Sequence, residues 1–204
     1  MRFRSICILL AAMLSCPAAF GRDRVTPRPA RFSLGLTYGF VADTELMSEM
    51  GVTGRMRISA LWGVGLSYAQ RDYLFETDCG HHRNNAEVVG TSAYLYPFGS
   101  KLPAWMNLYL KGGLLYLQHH LGATDWDTNE EVNYDTKAFN AEFGGGVAFT
   151  FLRLPGGVFA MSLFVEAGFT YPIIEPGAPK CACDCIELPT GKSGSLKAGL
   201  AVHF

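Results

Sequence analysis

The sequence predicts an all-β fold, a closed eight-stranded antiparallel up-and-down barrel whose strands cross a membrane. Three observations lead to this prediction: large and small side chains alternate strictly, the alternating runs are even in number, and the connections alternate in length. Alternation with a period of two indicates a strand, because a helix would repeat its apolar residues about every 3.6 positions.

The first alternating run, FSLGLTYGFV, sets the pattern. Phe32, Leu34 and Leu36 lie on one face, whereas Ser33 and Gly35 lie on the other. Seven further runs follow near residues 52–59, 63–71, 87–98, 106–116, 139–151, 159–171 and 195–204. The run at 87–98 is rich in strand-forming residues, but its phase is ambiguous. Most runs exceed the usual strand length of about five to six residues, and they suit tilted strands that span a membrane.

The connections between the runs are alternately short and long. Short connections are expected near Ala60–Trp62, Gly99–Ala104 and Arg153–Gly157. Long connections are expected near Ala42–Met50, Phe75–Ala86, His119–Asp135 and Ile173–Ser193. Short turns at one end and long loops at the other are typical of barrels in the bacterial outer membrane.

The charged residues within the runs indicate which face meets lipid. In the seven runs of clear phase, every charge falls on the face of small residues, and the set is Arg55, Arg57, Arg71, Lys111, Glu142, Glu166 and Lys197. A charge on the lipid side at mid-membrane costs about 2–4 kcal/mol, and lipid cannot satisfy a free strand edge. We therefore predict a closed barrel with a lumen charge network, paired because an unpaired buried charge is costly.

The N-terminus has the pattern of a secretory signal peptide over residues 1–21. Two arginines precede an apolar stretch, and small residues stand before a cut after Gly21. Residues 22–31 are then expected to form a periplasmic N-terminal segment, and residues 32–204 the barrel domain. Lipidation at Cys16 is an alternative that the residues leave open.

Composition excludes two classes of protein. Removal of the signal peptide leaves 15 basic and 18 acidic residues, a net charge of −3, which is no footprint of a nucleic-acid-binding protein. No later stretch has the run of about 18 or more apolar residues that a membrane helix requires. We therefore expect neither a nucleic-acid partner nor a helical membrane protein.

These features resemble the small eight-stranded outer-membrane barrels of the OmpA, OmpX and OmpW type, over roughly Phe32–Phe204. The most specific mark is the ending LKAGLAVHF, which alternates apolar residues and stops on the aromatic Phe204. The resemblance implies an integral protein of the cell outer membrane that contacts outer-membrane lipid. It also implies that Phe204 is an assembly signal for the outer-membrane assembly machinery. We expect a monomer without a cofactor.

Two functions are open for such a barrel. The first is a surface-exposed scaffold whose loops mediate interactions with an extracellular partner, because binding usually resides on loops that a rigid scaffold positions. The second is a narrow channel for small solutes, hydrophobic ones included, as the likeness to OmpW implies. An enzyme is not expected, since no clear-phase run places a histidine on the lipid face and no Ser/His/Asp spacing is diagnostic.

Thiols and imidazoles are predicted to gather at the mouth with the long loops. The set is Cys79, Cys181, Cys183, Cys185, His81, His82, His119 and His120. One interpretation is a disulfide from Cys79 to the fourth long loop, which would add about 2–4 kcal/mol in an exported protein. The other is a zinc or copper site, although Cys-x-Cys-x-Cys is not the common zinc spacing. The sequence leaves both open.

Overall fold

A computed structural model describes residues 32–43, 46–77, 80–99, 101–103, 105–125, 131–154, 159–174 and 192–204. The predictions for the signal peptide, residues 22–31, Cys16 and the four later cysteines lie outside the described residues. Within the described ranges, no helix is long and apolar enough to cross a membrane.

Eight strands form one closed sheet. They are β1 Phe32–Ala42, β2 Leu46–Arg57, β3 Trp62–Thr77, β4 Gly80–Leu95, β5 Met106–Asp125, β6 Glu131–Arg153, β7 Ala160–Ile174 and β8 Ser193–His203. Each strand pairs antiparallel with the next, and β8 pairs with β1. The predicted closed eight-stranded up-and-down barrel is confirmed.

The register of the ladders sets the shape of the barrel. Each residue has a ladder partner on the next strand, and these partners can be traced from strand to strand around the barrel. The path that starts at Asp72 on β3 comes back to β3 at Trp62, a stagger of ten residues. This stagger requires strands that tilt by about 35–45° from the barrel axis. An eight-stranded barrel has an interior just wide enough for side chains to fill, so the inward residues pack against one another.

The chain ends and the short turns lie at the same end of the barrel, which we call the turn end; the opposite end is the loop end. At the turn end, Phe32 N donates to Phe204 O at 3.3 Å and Phe204 N donates to Phe32 O at 2.8 Å. In the turn after β4, Gly99 has φ of 52° and donates to Tyr96 O at 3.0 Å. This left-handed conformation favours glycine.

Alternation along the strands separates a lipid-facing surface from the lumen. On β7, Leu163, Val165 and Phe169 are 44–74% exposed, whereas Phe164 and Glu166 are buried. The outward face has large exposed aromatic residues near both ends of the barrel, and they include Tyr116, Tyr171, Trp62, Trp105 and Phe204. Girdles of this kind flank the lipid-facing band of outer-membrane barrels.

The predicted phase was undecided only for β4. The structure places Val88, Ser92 and Tyr94 in the lumen and Val89 on the lipid face. The sequence could not settle this because both faces carry large residues. Tyr94 fits inside because its ring lies against Gly65, where an added Cβ would be 2.8 Å from the ring Cε2.

Three of the four predicted long loops are mostly strand. The β2 strand already begins at Leu46, only residues 78–79 separate β3 from β4, and residues 126–130 separate β5 from β6. The loop prediction was wrong here because the sequence of these segments is rich in polar and charged residues, although Leu46 and Met50 extend the apolar outward face of β2. The connection after Ile174 is the one that keeps its predicted length, since β8 begins at Ser193.

Large apolar side chains fill the lumen, which the sequence had predicted to be lined mainly by small residues. A cluster nearer the loop end consists of Ala69, Val88, Leu115, Leu117 and Ala138. A cluster nearer the turn end consists of Tyr94, Tyr109, Ala148, Phe164 and Ala201. Along β5, Lys111 falls between Tyr109 and Leu115, so a charged layer separates the two apolar clusters.

Candidate functional site

Seven charged side chains form one chain of ion pairs across the lumen. In spatial order the chain is Arg71, Glu49, Lys197, Glu142, Lys111, Glu166 and Arg55. Bases and acids alternate, so each neighbour in the chain has the opposite charge. The residues come from six different strands, and only closure of the barrel brings them together. We call this set the lumen network.

The lumen network contains four close contacts and two longer ones. Glu49 accepts Arg71 Nε at 2.7 Å and Lys197 Nζ at 2.6 Å. Lys111 Nζ lies 2.7 Å from Glu142 Oε2, and Arg55 pairs with Glu166. The longer contacts, from Lys197 Nζ to Glu142 Oε1 and from Lys111 Nζ to Glu166 Oε2, are both 3.8 Å.

Burial makes these contacts matter for stability. The seven side chains are only 3–12% exposed, so water screens their charges little. Removal of one member of a buried pair typically costs about 3–5 kcal/mol, because the remaining charge loses its compensation. The network therefore stabilises the closed arrangement of the strands that carry it.

Arg55 lies in a cage of three aromatic rings at the turn-end side of the network. Its Cζ is 4.9 Å from the ring centroid of Tyr94, 5.0 Å from that of Tyr109 and 4.6 Å from that of Phe164. Tyr109 also donates through its hydroxyl to Glu166 Oε1 at 2.7 Å. Ring faces attract a desolvated guanidinium, so Arg55 is held by one carboxylate and three rings.

Two of these rings lie against glycines on the neighbouring strand. Tyr109 is the ladder partner of Gly146, and Phe164 is the ladder partner of Gly199. A Cβ at Gly146 would be 2.7 Å from Tyr109 Cζ, and one at Gly199 would be 2.4 Å from Phe164 Cζ. These inward glycines therefore provide the room in which the cage packs.

Six of the seven predicted lumen charges lie in the network, and Arg57 does not. Arg57 Nη2 donates to Ala60 O at 2.6 Å, Nε donates to Ser59 O at 3.2 Å, and the guanidinium stacks 4.2 Å from the Tyr96 ring centroid. The prediction is corrected because β2 ends at Arg57, so its inward side meets the turn rather than the lumen.

Glu49 is the network residue that the sequence analysis missed. It fell within a segment predicted to be a loop, yet it lies on β2 and is 3% exposed. The available signal was that Glu49, Thr53 and Arg55 share one face when the period of two is extended toward Leu46. With Glu49 added and Arg57 removed, the network has four bases and three acids.

The structure sends the side chains of His119 and His120 to opposite faces of β5, whereas the sequence predicted both in one cluster. His119 faces the lumen and is 4% exposed, whereas His120 Nδ1 lies 2.7 Å from Asp135 Oδ1 on the outer face. His81 and His82 lie on β4, and the ladder partner of His81 on β5 is five residues beyond His119. Alternation sends consecutive residues of one strand to opposite faces, so the imidazoles of His119 and His120 do not converge, and a cluster with His81 and His82 stays a prediction.

A metal site is not formed by the part of the chain that the structure describes, where no group of three or more His, Cys, Asp or Glu residues could hold an ion. The predicted thiol ligands Cys79, Cys181, Cys183 and Cys185 lie outside the described residues. The disulfide and the metal site that involve them therefore stay predictions.

The outer face of β3 to β6 changes from apolar to polar in register. The last apolar row consists of the ladder partners Tyr68, Val89, Tyr116 and Phe139. The next outward row consists of Gln70, Glu87, Gln118 and Lys137. A belt of aromatic residues followed by polar ones is typical of the membrane interface, so lipid contact ends between these two rows.

Four strands continue past this boundary as a sheet, which we call the extension: residues 70–77, 80–87, 118–125 and 131–137. At about 3.3 Å per residue, eight residues span about 25 Å along each strand. The flanking strands β2 and β7 do not follow it. The ladder between β2 and β3 ends at the pair Ser48 and Asp72, and the ladder between β6 and β7 ends at the pair Phe139 and Ile174. The extension therefore rises from one side of the barrel.

Comparison with known proteins identifies the fold through solved structures. No family model and no curated protein matches the chain. Neisserial surface protein A matches with a TM-score of 0.52 and 13% identity, over 85% of this chain and 96% of that one. The N-terminal barrel domain of Pseudomonas aeruginosa OprF matches with a TM-score of 0.49 and 11% identity, over 84% and 97%. Yersinia pestis Ail, the attachment invasion locus protein, gives 0.47 and 16%, over 85% and 96%.

The match to Neisserial surface protein A establishes a shared fold, and an identity of 13% supports no further similarity between the two proteins. With the closed ladder and the apolar outer face, it places the chain among the small eight-stranded outer-membrane β-barrels. The chain is thus an integral outer-membrane barrel, as its sequence resemblance implied. The comparisons do not select the OmpW type.

Proposed function

We propose that the protein is a surface scaffold: a closed outer-membrane barrel that presents the extension outside the cell as an interaction surface. The observation that carries this proposal is the continuation of β3 to β6 beyond the lipid boundary as a hydrogen-bonded sheet. The predicted scaffold function is kept, but its contact surface is formed by strands as well as by loops.

The packing of the lumen supports an anchoring role for the barrel. Apolar clusters lie on both sides of the lumen network, and the described network residues surround a cavity of only about 10 Å³. A barrel filled in this way gives the extension a rigid base. Because binding groups on a rigid base lose little conformational freedom when a partner docks, the arrangement favours recognition.

The edges of the extension support an extended polypeptide as the partner. The β6 strand begins at Glu131, whereas its ladder with β7 stops at Phe139, so residues 131–138 form an edge that β7 does not cover. The edge of a sheet can pair with an added strand, whose backbone supplies hydrogen bonds and whose side chains supply specificity. The exposed pair of His120 and Asp135 on the outer face offers polar contacts beside the sheet.

A shortened β5–β6 hairpin tests this function. Deletion of residues 121–124 together with 131–134 removes four ladder pairs and preserves both the register and the inward–outward alternation. The probe is a phage-displayed library of short random peptides, selected on refolded barrel in detergent. We expect strand-forming peptides to be enriched on the full-length barrel and to lose their binding to the shortened one.

The control is the folded state of the shortened barrel, measured by its heat-modifiable mobility on gels. Retained mobility with lost peptide binding supports the proposal. Equal peptide binding by the two barrels, or no enrichment on the full-length barrel, would overturn it.

The alternative function, a narrow channel, is opposed by the same packing of the described lumen. We expect no resolvable current from the purified barrel in planar bilayers, either as wild type or as Glu166→Gln. A steady unitary conductance of the wild type that changes with Glu166→Gln would support the channel function instead.

A further inference from the structure

The two long contacts of the lumen network lie at the same cavity. Lys197 and Glu142 form one of them and Lys111 and Glu166 form the other, and all four residues line the cavity together with Ser195. Both contacts are 3.8 Å, beyond the usual hydrogen-bond range of about 2.7–3.2 Å. The network is therefore tight at its two ends and loosely joined at this cavity.

The volume and lining of the cavity match a single water molecule. The cavity measures about 10 Å³, which is close to the lower limit for holding one water, and a buried water needs about two to four polar partners. Two ammonium groups, two carboxylates and one hydroxyl supply more than that number. Glu142 Oε2 is also buried, and the contact described for it is the ion pair with Lys111 Nζ at 2.7 Å.

We propose that this cavity is a binding site for one water molecule that bridges Lys197, Glu142, Lys111 and Glu166. Contacts longer than about 3.5 Å between polar groups are commonly bridged in this way. The bridge joins the Arg71 end of the network to the Arg55 end and completes it. A water beside each 3.8 Å contact can bond to both of its charged groups, and without it these groups would keep unused hydrogen-bonding capacity, which is costly in a medium of low polarity.

Charge balance favours water over an ion. The four charged groups around the cavity are two bases and two acids, so their charges cancel. A cation would meet two lysines, and an anion would meet two glutamates. A neutral dipole that both donates and accepts can satisfy all four groups.

The direct test is a crystal structure of the wild-type barrel at a resolution that shows ordered waters. We expect one density peak within hydrogen-bond distance of at least three of the four charged groups. An empty cavity would overturn the proposal. So would an anomalous signal at this position after a soak in rubidium or bromide salt, because that signal would identify an ion.

Substitutions of Ser195 provide a second test that does not depend on the wild-type crystal alone. Ser195→Val places extra carbon in the cavity and should expel the water, whereas Ser195→Ala keeps the space. We expect the valine variant to lose the density and to unfold at a temperature at least a few degrees lower than the alanine variant. Equal unfolding temperatures with the density lost in the valine variant would contradict a bridging role.

This test is independent of the proposed interaction surface. The Ser195 variants leave the extension unchanged and should bind selected peptides as the wild type does, whereas the shortened hairpin leaves the cavity unchanged. Either proposal can therefore fail without the other, because peptide binding tests the extension and the density at the cavity tests the water.

Discussion

The lumen and the extension are built from the same ladders and differ in what surrounds them. In the lumen, charges are buried, paired and packed against aromatic rings. In the extension, the pair of His120 and Asp135 faces solvent, with side chains 31% and 68% exposed. Buried, paired charges therefore stabilise the barrel in its membrane region, whereas the ion pair described on the outer face of the extension is exposed and contributes little to stability.

The largest expected effect comes from Glu49→Ala in the lumen. Glu49 is the shared acid of Arg71 and Lys197, so its loss leaves two bases without their close carboxylate. We expect a loss of about 3–5 kcal/mol in the free energy of unfolding, measured by urea titration of the refolded barrel. Asp72→Ala, which removes an exposed outward carboxylate, is the matched control and should change the free energy by less than about 1 kcal/mol.

A smaller effect is expected for Gly199→Ala, which places a methyl group beneath the aromatic cage. Its Cβ would lie 2.3 Å from Leu36 O and 2.4 Å from Phe164 Cζ, so backbone and ring must both move. We expect a cost of about 1–3 kcal/mol in unfolding free energy. Gly112→Ala faces outward, where the nearest atom is Phe143 Cδ1 at 3.9 Å, and should be close to neutral. Equal costs for the two variants would contradict the account of the cage.

The smallest effect is expected for His120→Ala in the extension. Exposed ion pairs contribute about 0–1 kcal/mol, so the unfolding free energy of the barrel should change by less than about 1 kcal/mol. The same urea titration measures it. A loss as large as that of Glu49→Ala would mean that the outer surface of the extension stabilises the barrel, and the contrast between the two regions would fail.

The sequence predicted the membrane-spanning part of the fold and failed where lipid ends. Within the membrane, the outward face must be apolar, so a period of two is visible in runs such as Phe32–Phe40. Beyond the boundary the outward row is polar, and the strand from Glu131 to Lys137, with its acidic and amide residues, resembles a loop in the sequence. Glu49 was missed for a different reason: Leu46 and Met50 continue the apolar outward face of β2, but the acidic and polar residues around them make this segment resemble a loop.

The arrangement of the network could not be predicted from the sequence either. Alternation assigns Lys197 and Glu142 to the inner face, but their contact depends on the stagger of ten residues around the barrel. The position of a strand's end also decides which inward residues reach the lumen. Arg57 obeys the alternation yet leaves the lumen, because β2 ends there and the turn carbonyls accept its donors.

The orientation of the extension is the central claim, and labelling of intact cells tests it most directly. Cysteine is introduced either as Asn133→Cys on the extension or as Lys101→Cys at the turn end, both exposed positions. Cys79, Cys181, Cys183 and Cys185 are replaced by serine in both variants. A membrane-impermeant maleimide should label Asn133→Cys on intact cells, and should label Lys101→Cys only after the outer membrane is opened. The reverse pattern would contradict the proposal that the extension faces the cell exterior.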